Sequence, residues 1–254
     1  MKKNLAWILG GVCGFFSVAS LASPFPLAQF YPTPVGILYP GFSVAGGVNP
    51  AALPTAGEGS ALQLGFSGAD GEENQAFGGL THSNTRVGMG VGYQANLVNS
   101  GVVHNAFAGL GAKFQVLSLG IALRDYDLSA GISPSVDAGL IVKLKGVEVG
   151  FVFYQLETQA RMAIGIGTRQ EGSYALEANV LLPPFSYLDS NYLLTVSAQL
   201  EVKKVTAYFR TSYYTASQYL SHTLGLGVRV SKSVHLGLQY STPRRIGGAI
   251  TVHF

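Results

Sequence analysis

The chain has 254 residues, of which only 11% are charged and 33 are glycine, with a formal net charge of +3. Soluble domains carry about a quarter charged residues, so this chain cannot cover itself with the usual charged surface. The small, dispersed charge also leaves no basic footprint for nucleic acid.

Lys2 and Lys3 precede an uncharged stretch from Leu5 to Leu21, and Ser20-Leu21-Ala22 offers small residues where a signal peptidase reads. Residues 1–22 are therefore predicted to be a secretory signal peptide. Gly10, Gly11 and Gly14 weaken the competing reading as a permanent anchor, and Val12 before Cys13 argues against lipoprotein processing. Removing the segment takes away the only cysteine and two lysines. The charge falls to about +1, and no disulfide is then possible.

Residues 23–59 read differently from all that follows. Pro24, Pro26, Pro32, Pro34, Pro40, Pro50 and Pro54 interrupt any strand ladder, while Phe25, Phe30, Tyr31, Tyr39 and Phe42 are too apolar for a solvated linker. Something should bury this stretch. The lumen of a barrel would make it a plug or hatch; a periplasmic tail or a strap on the barrel rim are the alternatives.

From Ser60 to Phe254 the pattern changes to period two. About fourteen strands are predicted, or twelve if weak neighbours merge, the weakest lying around Gln75 to Thr81. Clear examples run through Val87, Met89, Val91 and Tyr93; Leu117, Leu119, Ile121 and Leu123; and Val234, Leu236, Leu238 and Tyr240. Arg86, Lys113, Arg124, Asp137, Lys143, Glu148, Arg161, Glu177, Glu201, Arg210 and Arg229 fall on the opposite phase. A soluble β-sandwich alternates in the same way. The low charge and the termini favour a closed antiparallel transmembrane β-barrel, because no later apolar run is long enough for a spanning helix and closure satisfies every backbone group. Tyr93, Tyr174, Tyr192, Tyr213 and Tyr240 lie near strand ends on the apolar phase, where an aromatic girdle belongs.

Short connections at 83–85, 145–146, 202–204 and 231–233 are predicted on the periplasmic side. Longer ones at 68–74, 95–101, 127–133, 183–191 and 215–221 are predicted outside. The last strand ends in Ile250, Val252 and Phe254, an alternating run closed by an aromatic. This ending resembles the carboxy-terminal signal by which outer-membrane barrels are recognised for insertion. Outer-membrane lipid and the barrel-assembly machinery are the partners it implies, and the expected location is a Gram-negative outer membrane.

The inward phase carries many glycines, among them Gly88, Gly111, Gly120 and Gly139, leaving room for a plug. Beside them stand Ile141, Val152, Leu181 and Leu193 with Tyr154, Tyr208 and Tyr214, an apolar and aromatic streak unlike the polar channel of a general porin. Arg124, Arg161, Arg210 and Arg229 are candidates for holding an anionic head group, although salt bridges across the lumen would use them equally well. Enzyme chemistry has little support. His235 and His253 share the lumen phase without a serine and carboxylate at a recognisable spacing, and His222 lies on the apolar phase as a girdle residue. No metal-ligand spacing and no cofactor motif is present.

The proline- and aromatic-rich stretch ends in Asn49-Pro50-Ala51-Ala52-Leu53 and is followed by the alternating strand Leu62-Gln63-Leu64-Gly65-Phe66. This arrangement resembles the FadL/TodX family of outer-membrane transporters for hydrophobic compounds, which have an Asn-Pro-Ala sequence after their hatch and fourteen strands. The resemblance implies passive uptake of long-chain fatty acids or other hydrophobic small molecules, with Asn49, Pro50 and Ala51 closing the hatch. This chain is shorter than typical members and lacks their long exterior loops, so no ligand contacts are carried over. Two functions follow as expectations: a transport barrel for hydrophobic or amphipathic solutes, or a non-conducting assembly barrel that binds a periplasmic or surface protein.

Overall fold

The computed structural model describes residues 38–39, 48–55, 58–68, 74–98, 101–125, 128, 134–156, 161–170, 173–182, 192–215, 217–242 and 245–254. The predicted signal peptide and residues 23–37 lie outside them. Fourteen strands run in order: β1 (Gly59–Gly68), β2 (Asn74–Ser83), β3 (Val87–Val98), β4 (Gly101–Phe114), β5 (Leu117–Asp125), β6 (Ser135–Leu144) and β7 (Val147–Tyr154), then β8 (Arg161–Gln170), β9 (Tyr174–Leu181), β10 (Leu193–Val202), β11 (Val205–Tyr214), β12 (Tyr219–Arg229), β13 (Val234–Ser241) and β14 (Arg245–His253). Each pairs antiparallel with its sequence neighbours, and β1 closes on β14. The twelve-strand option is excluded.

The seam is held as firmly as any other pair. Leu62 faces Val252 and Leu64 faces Ile250, while Ser60 and Phe254 exchange backbone hydrogen bonds of 3.2 and 3.0 Å. A sheet with no open edge leaves no unpaired ladder groups in the wall.

Period two decides what each face shows. Leu64, Val91, Ile121, Leu224 and Leu238 sit in mid-strand and are exposed on the outside, whereas Gln63, Asp137, Glu177, Gln199 and Thr251 are buried inside. This inversion of a soluble protein is the surface of a barrel made to stand in lipid. Ile250, Val252 and Phe254 take the outward phase as expected, and Phe254 is 74% exposed. Tyr93, Tyr192 and Tyr240 are exposed outside as well.

Two local expectations are corrected. Arg86 is not an inward strand residue but lies exposed in the β2–β3 turn. There the Asn84 side chain accepts the backbone N–H groups of Arg86 and Val87, both at 2.8 Å, so the strand starts one residue later. The connection expected at 95–101 is mostly wall: pairing continues through Asn96–Val103 to Val98–Gly101, leaving only residues 99–100 between strands. The weak strand at Gln75 to Thr81 is present and is longer than expected.

The ends of the barrel remain unequal. One end has tight connections, with Gln115, Gly146 and Lys203 turning at φ of 50, 81 and 57°. The other carries the longer connections, including residues 126–134 and 182–192.

Candidate functional site

The inner wall is the candidate site, and part of the amino-terminal stretch lies against it. Pro50–Thr55 forms a 3-10 turn in which Pro50 through Pro54 are buried, as is Asn49 just before it. Pro50 opens it without needing a backbone donor, and Asn49 caps it. The Asn49 Oδ1 accepts the Ala51 N–H at 3.0 Å and the Asn49 carbonyl accepts that of Ala52 at 2.9 Å. The Thr55 hydroxyl then donates to the Ala52 carbonyl at 2.9 Å.

The turn rests where the wall has no side chains. A Cβ at Gly88 would come within 2.6 Å of the Leu53 carbonyl carbon, and one at Gly111, Gly120 or Gly139 would overlap Pro50 or Asn49. These glycines, on β3 to β6, are required by close approach of one backbone to another. Leu53, Ala51 and Ala52 join Val48, Ile141, Val152, Tyr154 and Leu181 in one apolar cluster within the barrel.

Polar contacts fix the neighbouring parts. The Tyr154 hydroxyl donates to the Val48 carbonyl at 2.8 Å. On β9 the Glu177 carboxylate accepts two consecutive backbone N–H groups, from Leu38 at 2.8 Å and Tyr39 at 3.3 Å. The Arg169 guanidinium lies 5.1 Å from the Tyr39 ring centre and 3.5 Å from Glu148, which Lys143 also reaches at 3.1 Å. Burial, and after it the Glu148 carboxylate, raise the pKa of the Tyr39 phenol and keep it protonated.

All seven lumen candidates face inward, but they form three groups rather than one. Near the end with longer connections, Arg124 makes a 2.6 Å ion pair with Asp137, both side chains being almost fully buried. The other Asp137 oxygen accepts the Gln155 N–H at 3.0 Å, and Arg124 lies 6.0 Å from the Tyr154 ring centre. Arg161 faces Tyr154 across β7 and β8. This pairing commits Arg124 to the wall. A second group, Tyr208, Arg210 and Tyr214, lines β11; Tyr208 donates to Gln239, and Tyr214 lies 6.4 Å from Tyr219. At the tight-turn end Arg229 stands apart, 3.9 Å from Glu201.

Several inward residues were missed in the sequence. Arg245 is 1% exposed at the start of β14, and Phe77 and Phe107 are buried on the inner phase of β2 and β4. Arg245 was readable from its phase opposite Ile246 and Ile250. The Phe107 ring covers Gly92 from inside. On the outside of the same place, Gly78, Gly79 and Gly92 leave a groove of about 480 Å³ between Leu62, Leu80 and Tyr93.

The histidines divide by phase. His222 is on the outside, its Nδ1 3.0 Å from the Thr211 hydroxyl and its ring stacked 6.1 Å from Phe209. His235 and His253 face inward with ring centres 4.8 Å apart. Among the described residues, no three His, Cys, Asp or Glu side chains are placed to hold a metal ion.

Fold and interior together define a fourteen-stranded membrane-spanning barrel with a proline-led turn seated on its inner wall. No family model and no curated protein matches the chain. Among solved structures, it resembles the CymD monoaromatic hydrocarbon channel with a TM-score of 0.63 and 14% identity, over 87% of this chain and 97% of that one. A Rhodopseudomonas blastica porin variant gives a TM-score of 0.47 and 7% identity, over 77% of this chain and 98% of that one.

Proposed function

We propose that the protein is a passive outer-membrane channel for hydrophobic or amphipathic small molecules, with residues 23–59 acting as its hatch. The carrying observation is the apolar cluster within the lumen, where Val48, Ala51, Ala52 and Leu53 meet Ile141, Val152, Tyr154 and Leu181. A water-filled channel for polar solutes would be lined by polar groups on that sector, whereas an apolar solute gains free energy from leaving water there. The likeness to a hydrocarbon channel, and the resemblance of the Asn49-Pro50-Ala51 start to FadL/TodX transporters, support the same class of solute. In this reading the tight turns face the periplasm, the chain is exported by residues 1–22, and the barrel-assembly machinery inserts it in a Gram-negative outer membrane.

Reconstituted in liposomes, the protein is expected to admit a labelled long-chain fatty acid, and deleting residues 24–54 is expected to change that flux. Absence of flux in both forms would overturn the proposal.

The close packing on β3 to β6 favours a second reading, in which the lumen never conducts and the barrel serves as an assembly platform. In-cell crosslinking that captures one stable periplasmic or surface protein, without any solute phenotype on deletion, would select it.

A further inference from the structure

We propose that the inner wall near the tight-turn end, across β12, β13, β14 and β1, is a binding site for a tetrahedral oxyanion such as phosphate. The register aligns Arg229 with His235, His235 with Thr251, and Thr251 with Gln63. Their inward side chains therefore form one continuous row across four strands. His253 adds a second imidazole, its ring 4.8 Å from that of His235.

The row has the composition an oxyanion needs. Guanidinium, imidazole, hydroxyl and carboxamide groups all offer hydrogen-bond donors. His235 is 1% exposed, and among the described residues neither its Nδ1 nor the Arg229 Nε has a hydrogen-bond partner. Buried polar atoms without partners are costly, and these two on adjoining strands call for a ligand or water to satisfy them. Glu201 holds Arg229 only at 3.9 Å and leaves the Nε side of the guanidinium to other partners. Because the donors come from different strands rather than from one planar fork, a tetrahedral anion suits them better than a flat carboxylate.

The wall beside the row provides the floor. In the adjoining register row stand Gly227, Gly237, Ala249 and Gly65, four successive strands with nothing larger than a methyl group. Beyond them Tyr208 lies over Gly225 and donates to Gln239, forming a roof. A donor-lined base, a floor of bare backbone and an aromatic roof together accept either the free ion or the phosphate head of a small amphipath.

Phosphorus NMR on the purified protein in detergent tests this without requiring solute to cross the barrel, so its outcome is separate from that of the channel proposal. Inorganic phosphate is expected to show saturable line broadening. Arg229→Gln and His235→Asn, each checked for folding by heat-dependent gel mobility, should weaken it by about tenfold or more. Glu201→Gln, which releases Arg229 from its carboxylate, should tighten it by about threefold. Tighter binding of butyl phosphate than of phosphate assigns the source as an amphipath's head group; equal binding assigns the free ion. Absence of a saturable response, or one unchanged in both weakening variants, overturns the site.

Discussion

Two sectors of the same lumen wall are built on opposite principles. On β3 to β6 the wall withdraws its side chains at Gly88, Gly111, Gly120 and Gly139, and a proline-led turn fills the space. On β10 to β14 it keeps polar side chains beside its glycines, with Ser197, Gln199, Thr206, His235 and Thr251 all buried. Recognition on the first sector is by shape, because a bare backbone accepts only a partner that fits closely. On the second it is by donor and acceptor, because each buried polar group demands a partner. A barrel wall can carry both, since lipid constrains only its outer phase.

The contrast is open to test, from the largest expected effect downward. Arg124→Ala removes one half of the buried pair that borders the first sector and takes the guanidinium from the buried Asp137 carboxylate, which should cost about 3–5 kcal/mol in urea unfolding from lipid vesicles. A cost under about 1 kcal/mol would mean that water already reaches the pair. Gly120→Val places a side chain where the Pro50 and Ala51 backbones lie, and overpacking of this kind costs about 1–3 kcal/mol or more. A cysteine placed at Ala51 in this variant should react with maleimide much faster than in the parent, while the barrel still shows heat-dependent mobility. Unchanged labelling would sink the idea that shape seats the turn.

Glu177→Gln keeps one acceptor oxygen but loses the charge that holds the Leu38 and Tyr39 N–H groups, for an expected loss of about 1.5–3 kcal/mol. Proteolysis of the amino-terminal stretch should rise with no change in barrel stability. Lys143→Ala is the weakest of the set. Its ammonium is half exposed where it meets Glu148, so about 0–1 kcal/mol is expected, and added salt should abolish it. A larger effect would mean that Glu148 depends on Lys143 rather than on Arg169.

Much of this architecture was legible because a strand's two faces must alternate. The outward runs Val87–Met89–Val91 and Leu236–Leu238–Tyr240 declared their strands, and the charges opposite them declared the lumen. β2 was faint because Asn74, Gly78 and His82 interrupt its apolar phase, although its pairing with β1 and β3 is complete. The upper part of β3 looked like a connection because Gln94 and Asn96 are polar. Inside the barrel they bond to each other at 2.7 Å, an environment that local pattern does not reveal.

The candidate site was legible as a list of inward residues, not as an arrangement. Arg124, Arg161, Arg210 and Arg229 all took the predicted phase, but nothing in their spacing distinguishes the one sealed by Asp137 from the one 3.9 Å from Glu201. Glu177 was recognised as inward without its two backbone partners, which lie 139 and 138 residues away in the chain.

By itself the sequence determined the class of fold and the phase of each strand, since period two and low charge admit few other solutions. Tertiary structure alone decided which inward residues meet. Closure of β1 on β14 brings Gln63 beside Thr251, and through it beside His235 and Arg229. Such neighbours are set by hydrogen-bond register between strands, and a slip of two residues would keep every face correct while changing every partner.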